Sequence, residues 1–113
     1  MIVLSKNQGG SISPQAAYEK IASSEVTVLD VRNPDEFKQG HIKDAKLIPL
    51  GQLAERITEI NTLKAKPIIV YCHAGSRSSA AAGKLRSQGF TGVLNLQGGI
   101  TAWKNSKLPV VGG

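Results

Sequence analysis

The only cysteine of this 113-residue chain, Cys72, stands where a strand-like run meets a helix-like run. Before it, "KPIIVY" is rich in β-branched residues, which is typical of a buried strand. After it, "HAGSRSS" leads into an Ala-rich stretch that predicts a helix. An isolated cysteine at a strand end is more often an inert core thiol than a nucleophile. The combination of strand, small residues, arginine and helix favours a nucleophile or an anion site.

The residues that follow Cys72 have the types that a thiolate needs around it. Gly75 permits a backbone conformation that larger side chains resist. Its neighbours are small and keep the loop narrow: Ala74, Ser76 and Ser78. We expect the helix to begin near Ser78, so that loop N–H groups and the positive helix end face the sulfur. A free thiol has a pKa of about 8.5, and lowering it by about two units takes about 2.7 kcal/mol, which several N–H donors can supply.

Charged side chains near the cysteine have more than one interpretation. Arg77 could hold an anionic donor with its guanidinium fork, or brace the loop by pairing with Asp30 or Asp35. Asp30 and Arg32 follow a strand-like run, and we expect them to form an internal ion pair at the same sheet edge. His73 could stabilise charge, but an exposed histidine without a role is the favoured interpretation.

Strand-like and helix-like stretches alternate along the chain. The strand-like runs are "VTVLDV", "AKLIPL", "PIIVY" and "GVLNL". The helix-like runs are "SPQAAYEKIA", "NPDEFKQG", "QLAERITEI", "SSAAAGKLRSQGF" and "GGITAWKNS". Such alternation predicts one α/β domain over residues 1–113, with a parallel sheet covered by helices on both faces. Ligands of such sheets bind beyond the carboxyl ends of the strands, which is where Cys72 lies.

Composition argues against several classes of function. Fourteen basic and eight acidic residues give a net charge of +6, but the lysines are scattered and only five residues are aromatic, so we expect no nucleic-acid interface. The charge favours the approach of small anions.

No apolar run reaches the roughly 20 residues that cross a bilayer, and we see no complete signal peptide. One cysteine without zinc-ligand spacing predicts no metal site and a reducing, cytoplasmic location.

Three separated motifs within residues 27–110 resemble the rhodanese-like sulfurtransferase family. They are "LDVRNPDEFKQGHIKDAKLIPL", "IIVYCHAGSRSSAAAGKLRSQGF" and "VLNLQGGITAWKNSKLPV", and they occur in the family's order. The resemblance implies an α/β fold with a five-stranded parallel sheet and a catalytic Cys72 that becomes a persulfide. It also implies a six-residue active-site loop from Cys72 to Arg77. The substrate-binding residues that it implies are His73, Ala74, Gly75, Ser76, Arg77 and Ser78, with Asp30 and Arg32 as supporting residues.

The same resemblance implies the partners of the reaction. A small anionic donor such as thiosulfate would give its outer sulfur to Cys72. Cyanide or a thiol, including the thiol of a thioredoxin-like protein, would then accept that sulfur. No metal and no organic cofactor is implied.

Two turns depart from the family's usual pattern. In "GHIKDA", Lys43 and Asp44 stand where a Pro-Gly pair is usual, and in "SKLPV", Lys107 stands where glycine is common. Both turns lie away from the Cys72 loop, so they bear on turn geometry more than on activity.

Two other functions remain open at this level. Cysteine phosphatases and arsenate reductases also hold an oxyanion in a loop between a strand and a helix, but their loop is one residue longer. Here Arg77 lies five positions after Cys72, and so short a loop suits one extra sulfur better than a tetrahedral phosphate. A non-enzymatic rhodanese-like interaction domain could share the same fold, because a fold does not fix a function.

Overall fold

Five short parallel strands form a single sheet in the computed structural model, which describes residues 10–112. The strands are β1 Ser11–Ile12, β2 Thr27–Asp30, β3 Lys46–Leu47, β4 Pro67–Tyr71 and β5 Gly92–Leu96. Their order across the sheet is β1-β5-β4-β2-β3, and every neighbouring pair is parallel. The α/β fold with a five-stranded parallel sheet, which the resemblance implied, is confirmed.

Helices connect the strands and cover both faces of the sheet. They are α1 Pro14–Ala22, α2 Pro34–Gln39, α3 Leu53–Arg56, α4 Ser76–Ser87 and α5 Gly99–Asn105. α1 begins as the sequence predicts, because Ser13 Oγ accepts a hydrogen bond from the Ala16 N–H. α2 begins directly after Asn33, whose N–H donates to the Glu36 carboxylate at 3.0 Å. Among residues 10–112, no helix combines the length and the apolar character that crossing a membrane requires.

The segment "QLAERITEI" does not form the single amphipathic helix that its pattern predicted. Turns of 3₁₀ helix at Leu50–Gln52 and Ile57–Leu63 flank the short helix α3. From Ile57 onward the apolar residues recur at intervals of three, as Ile57, Ile60 and Leu63. This interval matches the 3₁₀ helix, in which residues i and i+3 lie above one another. The prediction was wrong because it treated this spacing as part of an α-helical stripe.

The start of α4 also differs from the prediction. The helix begins at Ser76, earlier than the expected start near Ser78. Gly75 precedes it with φ of +121°, a conformation that glycine adopts freely and that turns the chain sharply into the helix. As a result, Ser78 lies in the first turn of α4, where its side chain is fully buried.

The edge strand β1 was not predicted by the residue pattern. Its two residues, Ser11 and Ile12, pair with Asn95 and Leu96 of β5. A run of two residues cannot display a periodicity, so only its neighbours in the sheet define it as a strand.

Two hydrophobic layers form because β4 is apolar on successive residues. Ile68, Val70 and Cys72 face the layer beneath α3 and α4. Ile69 and Tyr71 face the layer beneath α1 and α5. A central parallel strand that is buried on both faces needs this continuous apolar run. Cys72 therefore lies at the carboxyl edge of a core layer and directly beside α4.

The two turns that depart from the usual pattern have left-handed backbone geometry. Asp44 has φ of +65° and Lys107 has φ of +63°. This conformation costs residues with a Cβ about 1–2 kcal/mol, although aspartate tolerates it better than most. At both turns the backbone has the conformation that glycine adopts most easily, although Asp44 and Lys107 occupy these positions.

Candidate active site

The loop from Cys72 to Arg77 lies at the carboxyl edge of the sheet, between β4 and α4. Asp30, the last residue of β2, is paired in register with Tyr71, the last residue of β4. The segments that follow these two strands therefore meet at the same edge, where ligands of parallel α/β sheets bind.

The N-terminus of α5 holds the loop from the other side. The Ile100 N–H donates to the Cys72 carbonyl oxygen at 2.9 Å, and the Thr101 N–H donates to the His73 carbonyl oxygen at 3.1 Å. Gly99 makes this approach possible, because a Cβ built there would lie 2.6 Å from the Cys72 carbonyl oxygen. The second glycine of "QGGI" is thus required by the close packing of α5 against the loop.

The Cys72 thiol is almost completely buried, with 1 % of the residue exposed. Its Sγ accepts a hydrogen bond from the Gly75 N–H at 3.1 Å and lies 3.4 Å from Ser78 Oγ. Gly75 has φ of +121°, and in this backbone conformation its N–H is directed at the sulfur. Nothing lies within 4 Å of a Cβ built on Gly75, so the need for glycine there comes from backbone conformation and not from space.

These contacts act on the ionisation of the thiol in opposite directions. Burial is the largest single effect and raises the pKa of Cys72. Hydrogen bonds from the Ser78 hydroxyl and from the backbone N–H groups of Ser78, Gly75 and Arg77 lower that pKa, and together they outweigh burial. The pKa of Cys72 is therefore lowered, which increases the share of the reactive thiolate near neutral pH.

Arg77 braces the loop through Glu36. Its two terminal nitrogens donate to the two Glu36 carboxylate oxygens at 2.8 and 2.9 Å, a bidentate geometry. The interpretation in which Arg77 braces the loop named Asp30 or Asp35 as its partner, and that choice of carboxylate was wrong. Glu36 lies in the first turn of α2, and its carboxylate also accepts the Asn33 N–H. The Arg77 hydrogen bonds, helped by that N–H and opposed by burial, lower the pKa of Glu36 to about 2.

Asp30 and Arg32 form the internal ion pair that the sequence predicted. Arg32 Nη2 lies 2.7 Å from Asp30 Oδ2, and both side chains are buried. The same Nη2 donates to the Gly40 carbonyl oxygen at 2.8 Å, which ties the end of β2 to the end of α2. The guanidinium also lies over the Tyr71 ring, 5.4 Å from its centre. This pair fixes α2, and with it the position of Glu36.

The remaining predicted site residues are exposed. The side chains of His73, Ala74 and Ser76 all face outward, and His73 Nε2 lies 3.4 Å from Thr101 Oγ1. The loop therefore contacts the sulfur through backbone N–H groups and Ser78, and not through these three side chains. Elsewhere in residues 10–112, no three His, Cys, Asp or Glu side chains gather as a metal site would require.

A polar cavity of about 210 Å³ adjoins the loop. It lies between α2 and α5, and most of its lining is polar or charged. The lining residues are Arg32, Glu36, Gln39, Gly40, His73, Ile100 and Lys104. A small polar molecule could approach the loop from this side.

Two residues of the site were not predicted from the sequence. Glu36 lies three residues after Asn33, a spacing that indicates a helix cap. Its pairing with Arg77 was missed because the two residues are far apart along the chain. Asn95 lies 2.6 Å from Ser78 Oγ, and its signal was a polar residue within the apolar run "GVLNL".

The sheet and the loop together define a class: an α/β protein that presents a cysteine in an N–H-lined loop at the carboxyl edge of a parallel sheet. The family model described as "Rhodanese-like domain" matches residues 13–106. The chain belongs to this family.

Two similar proteins and one solved structure agree with membership of this family. The chain is 39 % identical over 101 residues to a sulfurtransferase of Allochromatium vinosum, with 88 % of this chain and 92 % of that protein covered. It is 34 % identical over 93 residues to the thiosulfate sulfurtransferase GlpE of Coxiella burnetii, covering 82 % of this chain and 85 % of the relative. A crystal structure of a rhodanese-related protein from Thermoplasma volcanium matches with a TM-score of 0.79 and 36 % identity, over 90 % and 97 % of the two chains.

The same fold also occurs within longer proteins. The chain is 34 % identical over 103 residues to a tRNA uridine(34) hydroxylase of Chlamydia felis, of which it covers only 32 %. Proteins named for different activities therefore share sequence similarity with this chain.

Proposed function

We propose that this protein is a thiosulfate sulfurtransferase that carries sulfur as a persulfide on Cys72. The observation that carries the proposal is the environment of the buried sulfur, which accepts the Gly75 N–H and lies beside the Ser78 hydroxyl. Donors in this arrangement stabilise a thiolate, and they can also stabilise a negative charge on one further sulfur atom. The single thiol also fits action in a reducing compartment such as the cytoplasm.

The first half of the reaction loads the enzyme. The Cys72 thiolate attacks the outer sulfur of thiosulfate, so that a new S–S bond forms at Cys72. The S–S bond of thiosulfate breaks, and sulfite leaves with the electron pair of that bond. The negative charge now rests on the outer sulfur of the persulfide, within reach of the loop N–H groups.

The second half returns the enzyme to its starting state. Cyanide attacks the outer sulfur and leaves as thiocyanate, or a thiolate acceptor takes the sulfur and leaves as its own persulfide. The Cys72 thiolate is regenerated in both cases. Because the chain has no second cysteine, the acceptor must come from outside, for example from a thioredoxin-like protein.

The position of Arg77 favours sulfur transfer over phosphate-ester hydrolysis. A phosphatase loop needs its arginine to grip the oxygens of a tetrahedral anion. Here both terminal nitrogens of Arg77 are held by Glu36. A sulfur atom bound to Cys72 needs less room and fewer donors, which suits the six-residue loop.

The test of this proposal is the intact mass of the protein after treatment with thiosulfate and removal of the excess. The protein should become one sulfur atom heavier, and cyanide should restore the original mass and release thiocyanate. A Cys72→Ser variant, which keeps the size of the side chain, should gain no mass. Failure of the wild-type protein to gain sulfur would favour a non-enzymatic interaction domain, and hydrolysis of aryl phosphates that depends on Cys72 would favour a phosphatase.

A further inference from the structure

The Ser78 hydroxyl has more acceptors around it than it can serve. Its Oγ lies 2.6 Å from Asn95 Oδ1, 3.2 Å from the Gly75 carbonyl oxygen and 3.4 Å from Cys72 Sγ. A serine hydroxyl carries one proton and two lone pairs. When Cys72 is a thiolate, all three neighbours are acceptors that compete for this one proton.

The protonated thiol fits one direction of hydrogen bonding. The Cys72 S–H donates to Ser78 Oγ, and the Ser78 O–H donates to Asn95 Oδ1. After ionisation the sulfur has no proton to give and accepts one instead. If the Ser78 O–H turned to the sulfur, its oxygen would face the Asn95 oxygen at 2.6 Å, with no proton between them. A half turn of the Asn95 amide removes this conflict, because Nδ2 then donates from nearly the same place.

We propose that Asn95 is a positioning residue of the active site, whose amide turns over when Cys72 ionises. The direction of donation then reverses, from Asn95 Nδ2 to Ser78 Oγ and from the Ser78 O–H to Cys72 Sγ. The thiol proton leaves to solvent, while Ser78 and Asn95 keep their protons and only change orientation. This inference rests on the proposed role of Cys72 as the nucleophile.

The placement of Asn95 suits such a role. Its backbone is fixed on both sides, since β5 pairs with Val70 of β4 and with Ser11 of β1. Its side chain is only half-buried, which leaves room for the amide to turn. Val93, on the same face of β5, belongs to the hydrophobic core. An apolar residue would be the ordinary choice at position 95, so the amide there calls for a polar role.

Other charged groups near the thiol are paired or line the cavity beside the loop. Asp30 on β2 is bound by Arg32, and Glu36 on α2 is bound by Arg77 of α4. His73 in the loop and Lys104 on α5 line the polar cavity. Burial raises the pKa of Cys72, and the Ser78 hydroxyl is the first of the contacts that lower it. A group that directs the Ser78 proton therefore affects the ionisation of the thiol.

The first test follows the unmodified protein by NMR. A ¹³C label in cysteine gives a single Cβ signal, because the chain has one cysteine. The side-chain ¹⁵N–H₂ signals of Asn95, identified by their loss in Asn95→Asp, should shift with the same midpoint pH as the Cys72 signal. These shifts should disappear in Cys72→Ser and in Ser78→Ala. Asn95 signals that stay unchanged through the Cys72 titration would overturn the proposal.

The second test replaces the amide by a group that can only accept. In Asn95→Asp the carboxylate can only accept a hydrogen bond, so the Ser78 O–H should continue to donate to it and not to the sulfur. The pKa of Cys72 should then rise by about one unit or more, which means about tenfold less thiolate at any pH below that pKa. The matched control is Gln97→Glu, which adds the same charge just after β5 at an exposed residue that contacts Ser11. Its effect should be less than half as large. Equal shifts in the two variants would attribute the effect to charge alone and contradict the proposal.

A double variant separates a contact through Ser78 from a direct effect of charge. In the Ser78→Ala background, Asn95→Asp should raise the pKa of Cys72 by less than half of its effect in the unmodified protein. An undiminished effect would show that Ser78 does not carry the coupling. All of these measurements report ionisation and not sulfur transfer. A coupled titration in a protein that never gains sulfur would refute the proposed function and leave the role of Asn95 intact.

Discussion

Two arginines near the same edge of the sheet each hold a carboxylate through two nitrogens, but in different surroundings. Arg32 grips Asp30 with both side chains nearly excluded from water, 4 % and 0 % exposed. Arg77 grips Glu36 with about a third of each side chain exposed, 34 % and 30 %. The first pair fixes the chain where β2 ends, and the second fastens the loop that contains Cys72.

The difference in burial decides what each pair contributes. Removing one partner of a buried pair leaves a charge without solvent or counter-ion, which costs about 3–5 kcal/mol. A partly exposed pair is worth about 0–1 kcal/mol, because water replaces much of the lost interaction. We therefore expect the Asp30–Arg32 pair to act mainly on stability and the Arg77–Glu36 pair mainly on activity.

The largest expected effect is the loss of the buried carboxylate charge. Asp30→Asn should lower the free energy of unfolding by about 3–5 kcal/mol, because Arg32 keeps a buried charge that is no longer compensated. Urea denaturation followed by circular dichroism measures this loss. The control is Asp35→Asn, which removes an exposed carboxylate from α2 and should cost less than about 1 kcal/mol. Similar losses in the two variants would contradict the contrast between the pairs.

The partly exposed pair of Arg77 and Glu36 should affect activity more than stability. Glu36→Gln and Arg77→Gln should each lower unfolding free energy by less than about 1 kcal/mol. Each should also lower kcat/KM for thiosulfate by about tenfold, because the loop N–H groups lose their fixed position. The double variant should lose no more than either single one, since both disrupt the same contact. A much greater loss in Arg77→Gln than in Glu36→Gln would show that Arg77 also binds the donor.

Lowering the pH should remove the contribution of the Arg77–Glu36 pair to stability. Arg77 holds the pKa of Glu36 at about 2, below its unfolded value of about 4.3. Such a carboxylate contributes stability fully above its unfolded pKa and loses that contribution as pH falls through the folded pKa. The unfolding free energies of wild type and Glu36→Gln should therefore differ by at most about 1 kcal/mol above pH ~5 and converge near pH ~2. A difference that grows on acidification would be incompatible with this pair.

Salt should produce the smallest difference between the pairs. Raising the ionic strength to about 1 M shortens the screening length to about 3 Å. The coupling energy of Arg77 and Glu36 in a double-mutant cycle should then fall by a few tenths of a kcal/mol, at most about 0.5. The coupling of Asp30 and Arg32 should stay the same within error, because solvent ions do not reach them. Equal salt sensitivity would mean that the buried pair is hydrated in solution.

The parts of the fold that could be predicted are those whose signal is local. β4 is a run of apolar residues, and the small residues after Cys72 mark a tight loop, so both follow from adjacent positions in the chain. The Asp30–Arg32 pair was predictable for the same reason, because its two members lie two residues apart. The five-stranded sheet required the family resemblance, because β1 has only two residues.

The parts that were missed depend on contacts distant in sequence. Glu36 and Arg77 are 41 positions apart, and the residue pattern offered only Asp30 or Asp35 as a partner for Arg77. Ser78 and Asn95 are 17 positions apart and meet only when α4 packs on β5. The 3₁₀ turns from Ile57 were missed because a helical stripe and a three-residue repeat share most of their positions. The roles of the loop residues in binding a substrate stay predictions.

The hydrogen bonds from α5 to the loop have a consequence for synthesis on the ribosome. The carbonyl oxygens of Cys72 and His73 accept hydrogen bonds from the N–H groups of Ile100 and Thr101, each 28 positions further along the chain. A growing polypeptide that has passed Cys72 but not yet delivered Thr101 lacks the support that fixes this backbone. The loop around Cys72 therefore reaches its final conformation only after Thr101 has emerged, and a growing chain that has not reached Thr101 holds Cys72 without this fixed backbone.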